Sequence, residues 1–407
     1  MSLPEFILER ARSSAGDTRR LHDIFQRLES GNPIKVVVIG GSITCGGNTY
    51  TEDQRWINQV FQWINATWPH PEHKLTNACK PATPSMLFSF CMHQSVPDDT
   101  DLLFMEFTVN DNAGVDRIRG GGLPNLPMMD NEWRRGLERT VRKALQLPLK
   151  PAVFYLHAYQ PEYEEHSFWQ GGETQIDTIM KYYGIPSVSA RDALYHLEIA
   201  GVDGFADAQD IAFHALTRVG HHYHNTLFRP LNKLPPPMLT DNYESTSDCL
   251  REEDLQKAAV AGQTEGWEWV DEGKTGGPLK LGWRTMEPQR SITLNMPSTV
   301  STLAGYTGNV VMGVGYLQSY AHMGMFKVDC VSGCKCEGMP GRNANFGAQL
   351  SIYQTAYFGV SQSPECQIRI TSLSNTTSGE HKIKFDTVLV ATGMTESWSK
   401  WFNEMRV

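Results

Sequence analysis

The residues best suited to chemistry in this sequence lie in a glycine-rich turn that contains Ser42. The turn, Gly40-Gly41-Ser42-Ile43-Thr44-Cys45-Gly46, follows the apolar run Ile34–Ile39, which is typical of a buried parallel strand. A serine in this place can project its hydroxyl beyond the sheet, because the flanking glycines tolerate the positive φ of a tight turn. Ser42 is therefore a candidate nucleophile, although an ordinary strand-to-helix turn with a capping serine fits the same residues. The turn lacks the Gly-Lys-Ser/Thr ending of a phosphate loop.

A later loop contains a group that could stabilise negative charge near such a serine. Thr108-Val-Asn-Asp111 follows a second apolar run, and the side-chain amide of Asn110 is suited to donate to a developing oxyanion. The alternative is a turn-capping role for Asn110.

Further along, acidic residues and histidines lie close together in the sequence, among them Asp207, Asp210 and His214. Carboxylate and imidazole are the groups that accompany the nucleophile in a serine triad. Serine, aspartate and histidine in this chain order form one of several arrangements that build the same triad geometry.

Other histidines allow different interpretations. A cluster of His221, His222 and His224 could suggest a metal site, because residues three apart share a helix face. Surface histidines are common, however, so we expect no metal there. His157 ends an apolar run and is either a pocket residue or a core histidine.

Residues 40–46 and 108–111 resemble motifs of the SGNH/GDSL hydrolase superfamily. Residues 40–46 are similar to its Gly-Asp-Ser-hydrophobic-Thr-x-Gly motif, except that Gly41 replaces the common Asp. Residues 108–111 are similar to its Gly-x-Asn-Asp motif, with Thr108 in place of the glycine.

The other two motifs of the superfamily are matched less regularly. The loop from Asn77 to Ser85 corresponds to the second motif, and Ala82 stands where that motif has a glycine whose N–H helps to form the oxyanion hole. The alternative is an ordinary surface loop. The fourth motif usually reads Asp-x-x-His-Pro with Gly-His soon after. Here Asp210 and His214 are one residue further apart, and Ala215 replaces the proline, although Gly220-His221 follows.

The resemblance implies a serine hydrolase that cleaves carboxylic esters through an acyl-enzyme. Ser42 would be the nucleophile, His214 the general base and Asp210 its orienting carboxylate, with Asp207 as the rival for that role. The oxyanion hole would consist of the N–H of Ser42, the N–H of Ala82 and the amide of Asn110. We expect no metal or organic cofactor.

The resemblance leaves the substrate and the reaction partly open. The expected partner is a small-molecule or polysaccharide ester, and O-acyl groups on carbohydrate are favoured because similar enzymes carry appended sandwiches that bind carbohydrate. An acyltransferase with the same triad and a catalytically inactive carbohydrate-binding protein are the competing hypotheses.

Strands alternating with helices predict an α/β domain over residues 33–230, with a parallel sheet. The resemblance implies that this domain is flavodoxin-like and three-layered. Residues 1–32 are predicted as an N-terminal helix and residues 231–281 as a polar linker that wraps the surface. Alternating apolar and polar residues over 282–407 predict a β-sandwich.

Composition limits the remaining possibilities. The chain of 407 residues carries a net charge of −9, which argues against a duplex nucleic-acid binder. No apolar stretch is long enough to predict a membrane span, and the first twenty residues lack the apolar core of a signal peptide. Eight cysteines, three of them within residues 330–336, favour disulfides over a zinc site and hence a secreted or lumenal location.

Overall fold

A computed structural model describes most of the chain in two compact units, Met1–Asn242 and Tyr243–Val407. The described residues are 5–47, 49, 51–112, 130–159, 172–200, 202, 247–273, 275, 277–299, 310–336, 341–345 and 351–392. None of the helices within them has the length and apolar character required to cross a membrane.

The first unit is built on a mixed sheet with the order β1-β6-β5-β4-β2-β3. Strands β2 to β6 are parallel, and β1 runs antiparallel to β6. β4 and β5 are buried along their whole length, as expected for parallel strands covered on both faces. The strands are Arg12–Ser14, Lys35–Gly40, Lys74–Asn77, Leu102–Glu106, Ala152–His157 and Ser187–Ser189 (β1 to β6).

Helices alternate with these strands, which confirms the predicted α/β unit with parallel strands. Leu21, Ile24 and Leu28 lie on one face of α2 and share an apolar cluster with residues of β2, β4 and β5. The described helices of this unit are Glu5–Ala11, Arg19–Glu29, Trp56–Thr67, Ser85–Cys91, Thr108–Asn112, Glu132–Gln146, Gly172–Tyr182 and Ala190–Ile199 (α1 to α8).

The N-terminal segment differs from the single helix that the sequence predicted. The chain leaves α1 at Ala11, forms the edge strand β1, and starts α2 only at Arg19. Gly16 has a φ of +56°, and a Cβ there would lie 2.3 Å from the backbone nitrogen of Pro186. A continuous helix is therefore interrupted by a turn that packs tightly on the segment before β6.

The second unit consists of antiparallel sheets that share one apolar core. One sheet has the order β10-β15-β12-β13, and the other has the order β14-β11-β16-β9-β8, with β7 beside β16. Apolar side chains of both sheets meet in one cluster, as the predicted sandwich requires. The strands are Ser247–Arg251, Glu268–Asp271, Leu281–Thr285, Ser291–Asn295, Val310–Gln318, Met325–Ser332, Arg342–Asn343, Ile352–Val360, Gln367–Ser372 and Ile383–Ala391 (β7 to β16).

The segment predicted as a polar linker, 231–281, differs from the structure where it is described. Its residues form β7, a short helix Glu252–Lys257 (α9) and β8, all within the second unit. Leu255 and Trp267 are buried in the core of that unit. The sequence did not predict β7 because its residues Ser-Asp-Cys-Leu-Arg are mostly polar, as in a loop. Only Cys249 of the five is buried.

The predicted disulfides of the β-rich unit are confirmed. Cys330 pairs with Cys336, and Cys334 pairs with Cys366. The sulfurs of Cys330, Cys334 and Cys366 lie close enough together to suggest a metal site, but all three are oxidised. All eight cysteines fall among the described residues, and none is free.

Candidate active site

Ser42 lies in a compact turn directly after β2. The backbone N–H of Cys45 donates to the carbonyl of Gly41 (3.1 Å), and that of Gly47 donates to the carbonyl of Ser42 (2.8 Å). The serine is half-buried. No hydrogen bond joins its hydroxyl to another described residue.

Sheet order brings the three described segments of the predicted site to one edge. β2 pairs in parallel with β3 on one side and with β4 on the other. The loop with Ala82 follows β3, and the turn with Asn110 follows β4. Since parallel strands end at the same edge, both segments flank the turn after β2, where open α/β sheets bind ligands.

The side chain of Asn110 lies against the backbone of the serine turn. A Cβ built on Gly41 would lie 1.8 Å from Oδ1 of Asn110, so no larger residue fits at position 41 with Asn110 as it stands. This contact gives a physical reason for a glycine at position 41. It also places the Asn110 amide group next to the residue that precedes Ser42.

The loop after β3 is fastened to the serine turn by several bonds. Asn77 donates through Nδ2 to the carbonyl of Thr44 (3.1 Å), and Lys80 N–H donates to the carbonyl of Gly40 (2.8 Å). A disulfide joins Cys45 to Cys79. The loop cannot move independently of the turn.

Ala82 adopts a backbone conformation that favours glycine. Its φ is +58°, in the left-handed region, and the residue is half-buried. An alanine there carries a strain of about 1–2 kcal/mol, because its Cβ crowds the following carbonyl. Residue 82 therefore has a backbone conformation typical of glycine, the residue that the second motif has at this position.

Glu106, at the end of β4, places a buried carboxyl group beneath the serine turn. It is fully buried, and its Oε2 accepts a hydrogen bond from the hydroxyl of Thr44 (2.9 Å). Burial raises the pKa of Glu106 to about 7, and the charge of Asp111 adds to the rise, while hydrogen bonds from Thr44 oppose it.

Asp111 is a second buried carboxyl group, next to Asn110. It accepts hydrogen bonds from the N–H (2.9 Å) and from the hydroxyl (2.7 Å) of Ser85, the first residue of α4. Burial raises the pKa of Asp111 to about 6, against the lowering effect of Ser85 and of the Arg134 charge.

His157 proves to be a core histidine. It has no exposed surface, and its Nδ1 lies 3.3 Å from the hydroxyl of Thr108. Burial lowers the pKa of His157 to about 3, so the ring is neutral at physiological pH, although Asp177 lies 3.7 Å from Nε2.

The rest of the predicted site lies outside the described residues. This holds for Asp210, His214 and the rival Asp207, and for the cluster of His221, His222 and His224. Their roles stay predictions.

Sequence reasoning missed the two buried carboxyl groups and their partners. Glu106 offered one signal, since it is the sole charged residue in the apolar run Leu102–Val109. A charge in such a run indicates a buried polar contact. Nothing in the sequence indicated that Thr44 and Ser85 are the partners.

Comparison with known proteins shows a shared fold. No family model and no curated protein sequence matches the chain.

Among solved structures, a two-domain esterase (CEX) active on acetylated mannans, co-crystallised with mannopentaose, is similar with a TM-score of 0.62 and 17% identity. That match covers 95% of this chain and 98% of the esterase. A second structure of a two-domain esterase (CEX) active on acetylated mannans gives a TM-score of 0.61 and 18% identity, with the same coverage of both chains. At these identities the likeness shows that the chain has the fold of a two-domain esterase.

The strain at Ala82 leads to a stability prediction. Ala82→Gly should raise the free energy of unfolding by about 1 kcal/mol, because glycine adopts positive φ without steric cost. Urea denaturation checks this. Ala78→Gly is the control, because the φ of Ala78 is not positive, and it should lower the free energy of unfolding. An Ala82→Gly protein less stable than the wild type would show that Ala82 is not strained.

Burial of Glu106 leads to a prediction about pH. The folded state holds the proton of Glu106 up to about pH 7, whereas an unfolded glutamate loses it near 4.5. Folding therefore takes up a proton between these values, and this group makes the protein less stable as the pH rises through them. Glu106→Gln removes this pH dependence. As the pH rises from 4.5 to 7, the free energy of unfolding of the variant should therefore increase by about 3 kcal/mol relative to that of the wild type. Denaturation of both proteins across this range tests it, and parallel pH curves would refute it.

Proposed function

We propose that this protein is a serine-dependent carboxylic ester hydrolase of the SGNH type. One observation carries the proposal: a serine whose hydroxyl is not engaged by any described residue stands after β2, between the Asn110 turn and the Ala82 loop. The strand order β3-β2-β4-β5-β6 corresponds to 2-1-3-4-5 in chain order, which supports a flavodoxin-like, three-layer hydrolase unit.

The mechanism follows from the roles of these groups. Ser42 attacks the ester carbonyl while His214 accepts its proton, and Asp210 orients the imidazole and stabilises its charged form. The oxyanion accepts hydrogen bonds from the N–H groups of Ser42 and Ala82 and from the amide of Asn110. The alcohol leaves with the proton from His214, and water then hydrolyses the acyl-enzyme with the same base.

O-acyl groups on a polysaccharide are the proposed substrate. Both similar solved structures are esterases active on acetylated mannans, and one was crystallised with mannopentaose. The coverage extends over both units, so the β-rich unit is included in the likeness. An acetylated mannan is thus the first substrate to test.

The triad gives the most direct prediction. Ser42→Ala and His214→Ala should each abolish release of acetate from acetylated mannan and of nitrophenol from p-nitrophenyl acetate, while circular dichroism stays unchanged. A covalent fluorophosphonate label should appear on Ser42 of the wild type only. If His214→Ala keeps its activity and His221→Ala loses it, His221 is the base instead. Acetyl transfer to an added sugar in preference to water would indicate an acyltransferase.

The contact between Gly41 and Asn110 gives a second prediction. Gly41→Ala should displace the Asn110 amide and lower kcat by about 100-fold, the usual cost of losing one oxyanion donor. Gly359→Ala is the matched control, because a Cβ there meets nothing within 4 Å. Full activity of a folded Gly41→Ala protein would remove Asn110 from the oxyanion hole.

A further inference from the structure

We propose that Glu106 and Asp111 are positioning residues, which together hold the serine turn and the Ala82 loop against the segment that carries Asn110. The inference rests on the proposed function. It assigns a role to two acids that are not members of the predicted triad.

Glu106 holds the serine turn on both sides of Ser42. Its carbonyl accepts a hydrogen bond from the N–H of Gly41 (3.2 Å), the residue before the serine. Its carboxyl group accepts from the hydroxyl of Thr44, two residues after the serine. Backbone and side chain of one residue therefore fix the turn before and after the nucleophile.

Glycine at position 40 makes the Thr44 contact possible. A Cβ on Gly40 would lie 2.3 Å from the Thr44 hydroxyl oxygen and 2.8 Å from the carbonyl oxygen of Glu106. The turn is packed so closely on β4 that the Thr44 hydroxyl reaches the buried carboxyl group only because this side chain is missing.

Asp111 holds the loop that contains Ala82. It binds both the N–H and the hydroxyl of Ser85, three residues after Ala82. The carbonyl of Ser85 accepts in turn from the hydroxyl of Thr140 in α6 (2.9 Å). Since Asp111 directly follows Asn110, the two predicted oxyanion donors outside the serine turn are fastened to each other.

Burying these two carboxyl groups costs stability, and a role in the site explains why the chain keeps them. Both are fully buried, they lie five residues apart on one segment, and each would be easier to bury as a neutral group. Carboxylates with raised pKa values cluster at functional sites, where precise geometry outweighs stability. Two acceptor oxygens also suit Ser85, because one carboxylate can bind both of its donors.

The test compares conservative variants with a matched control. Glu106→Gln and Asp111→Asn keep one acceptor oxygen. Thr44→Val and Ser85→Ala remove the hydroxyl donors, keep the N–H of residue 85 and leave both acids in place. Glu138→Gln is the control, since Glu138 is also a buried acid and accepts from Tyr183 (2.8 Å) just before β6, at the opposite edge of the sheet. Each protein is assayed as the full chain with p-nitrophenyl acetate, with circular dichroism as the check on folding.

The expected result is a loss confined to turnover. kcat should fall by about 10- to 100-fold in Thr44→Val and Ser85→Ala, because a displacement of about 1 Å is costly to the transition state but not to the bound substrate. KM should stay within about threefold. Glu106→Gln and Asp111→Asn should lose less than Glu106→Leu and Asp111→Leu, since the retained oxygen restores part of the contact. Glu138→Gln should keep the kcat of the wild type.

Two outcomes would overturn the inference, and they can be told apart. If the wild type hydrolyses the ester and the folded Thr44→Val and Ser85→Ala proteins match its kcat, the positioning role is wrong while the esterase stands. A drop no larger than that of Glu138→Gln has the same meaning. If the wild type neither hydrolyses the ester nor reacts with a fluorophosphonate at Ser42, the proposed function fails and the inference fails with it.

Discussion

The parallel pairing of β2 with both of its neighbours is the constraint on which the candidate site depends. Val36–Gly40 lie in register with Leu102–Glu106 on one side, and Lys35–Val38 with Lys74–Asn77 on the other. Because all three strands run in one direction, the chain must turn after each of them at the same edge. The turn with Ser42 thereby lies between two loops whose residues are distant from it in sequence.

Steric and electrostatic costs occur together at this edge. Ala82 occupies a backbone region that favours glycine, and Glu106 and Asp111 are buried with raised pKa values. A chain selected for stability alone would avoid such features, and their occurrence together is typical of sites where geometry matters more than stability. The disulfide between Cys45 and Cys79 joins two of the same segments covalently. The strained backbone of Ala82 and the disulfide between Cys45 and Cys79 thus belong to the same loop.

The second unit has a different physical basis. Its sheets share a core of their own, and two of its disulfides lie close together around Cys330–Cys336. Gln367–Ser372 alternates between buried and more exposed residues, as a strand with one solvated face does. Ile383–Ala391, in the middle of the other sheet, is buried along its whole length. The similarity to two-domain esterases spans this unit as well as the first, which is why a polysaccharide ester is the proposed substrate.

The sequence by itself determined the elements whose signal is local. The apolar run Ile34–Ile39 predicted β2, the runs before Asn110 and up to His157 correspond to β4 and β5, and alternation over 282–407 predicted β-strands there. The turn of Ser42 could be recognised because its glycines and serine are contiguous. Such features depend on neighbours within about ten residues, so the pattern alone contains them.

Only the tertiary structure decided which distant groups meet. Lys74–Asn77 is a short polar strand that exists through its pairing with β2, and β7 exists through its pairing with β16. The requirement for glycine at position 41 comes from Asn110, about seventy residues away, and the partner of Glu106 is Thr44. These contacts join segments that lie far apart along the chain, and their energies depend on burial and approach in three dimensions, which no local pattern of residues encodes.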